Sequence, residues 1–168
     1  VSQTPTYGNL TLKPKQTSAR TYTLGGAMTI NGNFDINPGT AANLLTVNAG
    51  GTITVASGKT TTVQRTTSAT SLLDLRPVST DYNLSTGLLN IATGGTLDAT
   101  SAASTITLTG TSGTLFTLGG TFTITSGTPT VVMNPDAAVT LTSGAITFYN
   151  LSLTPTITSG RTYTFGSG

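Results

Sequence analysis

"YGNLTLKPKQTSARTYTLGGA" (Tyr7–Ala27) returns near the end of the chain as "FYNLSLTPTITSGRTYTFGSG" (Phe148–Gly168). The two align without a gap, from Tyr7 on Phe148 to Ala27 on Gly168, and 11 of 21 positions are identical. Inside each copy, "NLTL" or "NLSL" and then "TYTL" or "TYTF" alternate polar with apolar residues. Alternation of this kind places Thr on one face of a strand and Leu, Tyr or Phe on the other. Repetition over such a distance is the mark of an architecture assembled from like units.

The same wording runs through the rest of the chain. "TITV" (52–55), "TITL" (105–108), "TFTI" (121–124) and "AITF" (145–148) each read as a short strand. Gly, Asn-Gly, Asn-Pro-Gly or Ser-Gly punctuates them as turn residues do. "MTINGNFDI" (Met28–Ile36) reads as one longer strand, with Met28, Ile30, Phe34 and Ile36 on its apolar side. A second repeat pairs "LLTVNAGGTITVAS" (Leu44–Ser57) with "LLNIATGGTLDATS" (Leu88–Ser101). "TITSG" or "TLTSG" recurs at Thr123, Thr140 and Thr156. No stretch carries a sustained helical period.

A unit of roughly 16 to 25 residues holds two or three short strands and cannot bury its apolar face alone. Stacked on neighbours it can, which is the logic of a solenoid. The chain is therefore expected to be all-β, a single-stranded β-solenoid (parallel β-helix). At roughly 20 residues per coil and about 4.8 Å per coil, it would form about eight coils and a rod of about 40 Å. Residues 1–168 form one unit, and 148–168 restart the 141-residue repeat that begins at 7. A β-sandwich is the alternative, since short strands at 8–12-residue spacing also suit it.

Composition narrows the function. The 168 residues include 41 Thr and 15 Ser but no Cys, His, Trp or Glu. Thr is β-branched and fits a pleated, half-exposed surface. Without Cys there is no disulfide framework. Charged residues make up 7%, and the net charge is +2. Lys13, Lys15 and Arg20 are the one local group of cations, too few for a nucleic-acid surface. No apolar run is long enough to span a membrane. The chain opens at Val1 without a basic or apolar leader segment. A Thr/Ser-rich, Cys-free chain with few Lys suits an extracellular or cell-surface location.

The "NLTL…RTYTLGG…MTINGNFDI" run, its partial copy at Asn150–Gly166 and "LLTVNAGGTITVASG" together resemble a known style of repeat. It is that of secreted bacterial β-solenoid proteins: filamentous haemagglutinin-type adhesins, autotransporter passengers, and Thr/Gly-rich surface β-strand-repeat proteins. The resemblance implies extracellular, elongated, non-catalytic proteins and names no ligand.

Candidate chemistry is sparse. "SGKT" (Ser57–Thr60) has the ending of a phosphate-binding loop, but the motif needs an earlier Gly where Ile53 stands, and a following helix. Ser18–Thr21 and Ser159–Thr162 repeat the phrase with Arg20 and Arg161, so it reads as a corner with a cation outside. A Ser or Thr nucleophile needs a base, and there is no His. The five Asp (Asp35, Asp74, Asp81, Asp98, Asp136) are scattered, although a solenoid could bring Asp74 beside Asp98. Paired-carboxylate hydrolysis requires carboxylates about 5–9.5 Å apart. Asn31, Asn33, Asp35 and Asn37 alternate and would share a strand face, an oxygen-rich row with only one charge, short of a usual calcium site. Asn9, Asn83 and Asn150 head Asn-Leu-Ser/Thr triplets and read first as corner residues bonded to backbone. Thr-x-Thr pairs suggest an ice-matching ladder, but their intervals vary and Tyr22, Phe122 and Tyr163 interrupt several. No catalytic, cofactor-binding or metal-binding residue is assigned, and no enzyme activity is expected.

The ends carry the functional expectation. Neither looks like a cap of the kind that blunts exposed strand edges. The chain is expected to be a structural subunit or segment of an extracellular filament or surface appendage. Its coils would stack head to tail on further copies or on neighbouring repeats of a longer array. A glycan-binding adhesin or tail-fibre-like module is the first alternative and a Thr-ladder ice-binding protein the second.

Overall fold

The computed structural model describes residues 4–39, 43–65, 69–100, 103–156 and 158–166. Among these residues there is no helix, and the backbone winds as a β-solenoid through three parallel sheets. The first coil carries β1 (Thr6–Tyr7), β2 (Leu10–Leu12) and β3 (Arg20–Thr23). The second carries β4 (Met28–Ile30), β5 (Phe34–Ile36) and β6 (Leu45–Asn48), and the third β7 (Ile53–Val55), β8 (Thr60–Val63) and β9 (Ser71–Asp74). The fourth has β10 (Leu84–Thr86), β11 (Leu88–Ile91) and β12 (Gly95–Asp98), and the fifth β13 (Thr105–Leu108), β14 (Thr114–Leu118) and β15 (Thr121–Thr123). The sixth has β16 (Thr130–Met133) and β17 (Val139–Ser143), and the last β18 (Asn150–Leu153) and β19 (Tyr163–Thr164).

Each face of the rod is one sheet. Face A stacks β1-β4-β7-β10-β13-β16-β18, face B stacks β2-β5-β8-β11-β14-β17-β19, and face C stacks β3-β6-β9-β12-β15. Every pairing is parallel, which excludes the sandwich alternative. The hydrogen bonds run along the rod axis from coil to coil, as from Leu10 N–H to the Asn33 carbonyl (2.9 Å) and Met28 N–H to the Thr52 carbonyl (3.0 Å).

Most coils are longer than the sequence suggests, and they are unequal. Asn150 lies directly over Thr130, which is the expected length, but Leu84 lies over Ile53, a turn half as long again. The rod therefore has six coil-to-coil steps rather than about eight coils, or ~30 Å of stacked strands at the usual spacing. The additional residues sit at corners. The segment between β9 and β10 swings out and is closed by a bond from Tyr82 N–H to the Leu75 carbonyl (2.9 Å) and by an Arg76–Asp81 ion pair (3.4 Å).

Corners preserve the in/out alternation. "MTINGNFDI" is two strands, β4 and β5, on different faces, with Asn31–Asn33 turning between them. Met28, Ile30, Phe34 and Ile36 are all buried, because an even step from Ile30 to Phe34 returns the side chain to the interior. "AITF" is not a strand; it crosses face C of the sixth coil, with Ile146 and Phe148 packed on the core. Double glycines fit corners where successive coils nearly touch: a Cβ on Gly50 would collide with the Leu24 carbonyl.

The interior is a file of inward side chains, among them Leu45, Val47, Ile53, Leu84, Ile106 and Phe116, each with no solvent exposure. Fully burying such a side chain contributes about 1.5–3 kcal/mol. Thr61, Thr86 and Thr142 also point in, and the first two are bonded to each other. The Thr61 hydroxyl donates to Thr86 Oγ1 (2.9 Å), and Thr86 donates to the Leu88 carbonyl (2.9 Å), so neither hydroxyl is left without a partner.

Candidate assembly interface

The two copies of the opening phrase form the two ends of the rod. At the first end, Tyr7, Leu10, Leu12, Arg20 and Tyr22 lie in register with Ile30, Phe34, Ile36, Leu45 and Val47. All five partners are buried, so the terminal residues occupy interior positions with no coil beneath them among the described residues. Tyr7 is 39% exposed and Tyr22 44%. At the other end Leu151, Leu153 and Tyr163 lie in register with Val131, Met133 and Val139, again interior positions. Leu153 and Phe165 are 43% and 56% exposed. Both ends thus present large apolar side chains beside strand edges that lack a second neighbour among the described residues: β1, β2 and β3 below, β18, β19 and, on face C, β15 above.

The ends differ in polar detail. Tyr163 donates its hydroxyl to the Pro135 carbonyl (2.6 Å), and burial with the nearby Asp136 charge holds its pKa above the usual phenol value. Arg161 Nε donates to Asp136 Oδ1 (2.8 Å), and Thr158 donates to Asp136 Oδ2 (3.1 Å). The Arg161 hydrogen bond is the main reason that the Asp136 pKa is lowered. Tyr22 instead borders a shallow hollow of about 210 Å³ with Leu12, Lys13 and Pro14. Arg20 has no ion pair among the described residues. The three clustered cations therefore sit around one end of the rod.

The remaining candidates resolve as follows. "SGKT" is the corner between β7 and β8: Gly58 has φ 76°, Lys59 N–H donates to the Ala56 carbonyl (3.0 Å), and a strand follows. Asp74 and Asp98 do become direct neighbours on face C. Each carboxylate caps its own corner, accepting from Arg76 N–H and Thr100 N–H respectively (both 2.7 Å). Burial raises the Asp74 pKa; the Arg76 N–H opposes this and the Asp98 charge adds to it. Asn31 belongs to a corner, so the expected four-residue row with Asn33, Asp35 and Asn37 is not one strand face. Asn9 and Asn83 accept backbone N–H bonds from Asn33 and Thr105 of the next coil (both 2.8 Å), and Asn150 donates to the Thr128 carbonyl (3.4 Å). Ile157 and the last two residues of the second copy lie outside the described residues, as does Ser101 of the other repeat.

Sequence spacing hid one regular feature. On face A, Thr6, Thr29, Thr54, Ser85 and Thr107 stand in one outward row over five successive coils. A flanking row includes Thr105, Thr130 and Asn150. Their intervals vary along the chain because corners absorb the difference; on the sheet the rows are regular until Val132 replaces a hydroxyl. Face assignment is the signal needed to see this, and a list of intervals does not contain it.

Among the described residues there is no cluster of three or more metal-ligating side chains, and no helix long and apolar enough to cross a membrane. No family model matches the chain, and neither the curated proteins nor the solved structures contain a match to it.

Proposed function

We propose that the chain is a structural segment of an extracellular filament or surface appendage, continued at its ends by coils of its own kind. Those coils come from a second copy or from neighbouring repeats of a longer array. The observation that carries this reading is the pair of ends: interior-register apolar residues, exposed, beside open parallel strand edges. Covering them adds backbone hydrogen bonds and removes apolar surface from water. The job is mechanical rather than catalytic, and the Thr/Ser-rich surface suits a cell exterior.

Charge does not guide the contact. Asp136 is already paired with Arg161 at one end, while cations gather at the other. Association is therefore expected to persist or strengthen as salt rises, since screening leaves apolar contacts intact and excluded salts reinforce them. Sedimentation velocity over a concentration series, with negative-stain microscopy, tests this: elongating species support it, and compact monomers at the highest concentration overturn self-association.

The regular hydroxyl row of face A favours ice as a second reading. Successive members of the row stand one strand spacing apart, about 4.8 Å, and present hydroxyl groups at a regular interval. A thermal-hysteresis measurement on the protein, and on Thr54→Tyr, decides it; equal freezing behaviour of both and of a buffer control removes the reading.

A further inference from the structure

Face B carries a polar groove that the end-to-end reading does not use. Thr11, Asp35 and Thr62 lie in register on three successive coils and form its floor. Asn9, Asn33 and Thr60 line one side and Gln64 the other, around an open volume of about 510 Å³. No apolar side chain is in this lining.

The groove is preorganised. Asn9 Oδ1 accepts the Asn33 N–H (2.8 Å), and Asn33 Oδ1 accepts the Thr60 N–H (3.1 Å). Because a backbone N–H requires an oxygen acceptor, both amides are fixed in one orientation, and each keeps its NH₂ group as donor. Across the floor, Gln64 Nε2 donates to Asp35 Oδ1 (2.7 Å), which pins the carboxylate and keeps the Gln64 carbonyl as an acceptor. The amide donors of Asn9 and Asn33 thus stand along one wall and the Gln64 side-chain carbonyl opposite, with the Asp35 carboxylate and the Thr11 and Thr62 hydroxyls between them. Little rotamer freedom remains to be lost on binding.

We propose that this groove binds a neutral polyhydroxylated chain, an oligosaccharide, lying along the rod axis. One carboxylate, already bonded to an amide, does not select a strongly charged ligand. Paired donors and acceptors match the adjacent hydroxyls of a sugar, each of which both gives and takes a hydrogen bond. A site built to pair hydroxyls discriminates strongly against a ligand lacking them. The rows repeat once per coil, so successive sugar units meet successive coils. The groove begins on the end coil, at Asn9 and Thr11, and faces outward from the flank over the first three coils; a coil stacked on β2 would lengthen it, so oligosaccharide binding and rod assembly are read separately.

The test is a titration of the ¹⁵N-labelled chain with short oligosaccharides of the cello, malto and laminari series. The side-chain amide signals of Asn9, Asn33 and Gln64 provide the readout. At least one series is expected to shift these signals saturably. Asp35→Ala and Gln64→Ala should weaken binding about tenfold or more, as loss of hydrogen bonds to a ligand hydroxyl does, while Thr54→Ala on face A leaves it unchanged. Asp35→Asn, which keeps one acceptor oxygen and the shape, should weaken binding less than Asp35→Ala. Three results overturn the proposal: no shift with any series, shifts that survive both alanine changes, or shifts elicited by calcium chloride alone at those amides.

Discussion

Tyr7–Ala27 and Phe148–Gly168 use nearly the same words at opposite ends of the rod, but on different faces. In the first copy "NLTL" is on face B and "RTYT" on face C; in the second "NLSL" is on face A and Tyr163–Thr164 on face B. The distance from one copy to the other is therefore one face short of six full turns. The second repeat behaves alike: β6 is on face C and β11 on face B, one face short of two turns. Thr123 on face C and Thr140 on face B are one face short of a single turn. The repeated word is strand–corner–strand, and it fits any corner because all three faces ask for apolar inside and polar outside. Within this chain, like therefore does not stack on like: "NLTL" packs under "FDI", and "RTYT" under "LTVN".

The sharpest way to break the comparison is in the core. Phe148 and Tyr7 are equivalent in the repeat, yet Phe148 packs edge-to-face on the fully buried Phe116 (6.2 Å between ring centroids), while Tyr7 is partly exposed. Phe122 packs on Phe116 as well (5.5 Å). Phe116→Ala should cost about 3–5 kcal/mol, from the cavity and the lost contacts. Tyr7→Ala should cost about 1 kcal/mol or less. Urea denaturation of both variants checks this; equal costs would mean that Tyr7 is held as firmly as the core ring on which its repeat equivalent, Phe148, packs.

How much of this is legible in the sequence follows from the same geometry. Alternation reveals which side chains go inside, and Met28, Ile30, Phe34 and Ile36 are all there. It does not reveal the corner inside "MTINGNFDI", because an even-numbered turn leaves the parity undisturbed. Coil length comes out too short when each repeat is equated with a whole turn. The end residues are visible as words, but their interior register is not: Arg20 beside Leu45 has no signature in composition. The groove is half visible. Asn33 and Asp35 stand close in the chain, while Asn9, Thr62 and Gln64 are brought to them only by stacking.

A smaller difference lies in one hydroxyl. Tyr163 donates to the Pro135 carbonyl, and Tyr22, its repeat equivalent, has no hydrogen bond from its hydroxyl among the described residues. Tyr163→Phe should cost about 1 kcal/mol, the usual net worth of such a bond. Tyr22→Phe should change stability by no more than a few tenths. Matched denaturation curves, run below the phenol titration range, compare them; a larger loss at Tyr22 would contradict the asymmetry.

The smallest expected effect separates the ends by pH. Asp136 has its folded pKa below the usual aspartate value of 3.8, because Arg161 holds the charged form. Its contribution is thus complete above that value and is lost as pH falls through the folded pKa. Asp74 runs the other way: its folded pKa is raised, so the folded state binds the proton more readily and acid relieves it. The two oppose each other in a global melt, which is therefore a poor readout. Local amide exchange is the better one. Between about pH 5 and about pH 2, protection at Arg161–Thr164 should fall relative to Arg20–Thr23, whose arginine pairs with no carboxylate among the described residues. Asp136→Asn should abolish that relative change. If both segments lose protection in parallel with Asp136 intact, the ion pair does not hold the second copy in place, and the two ends differ only in packing.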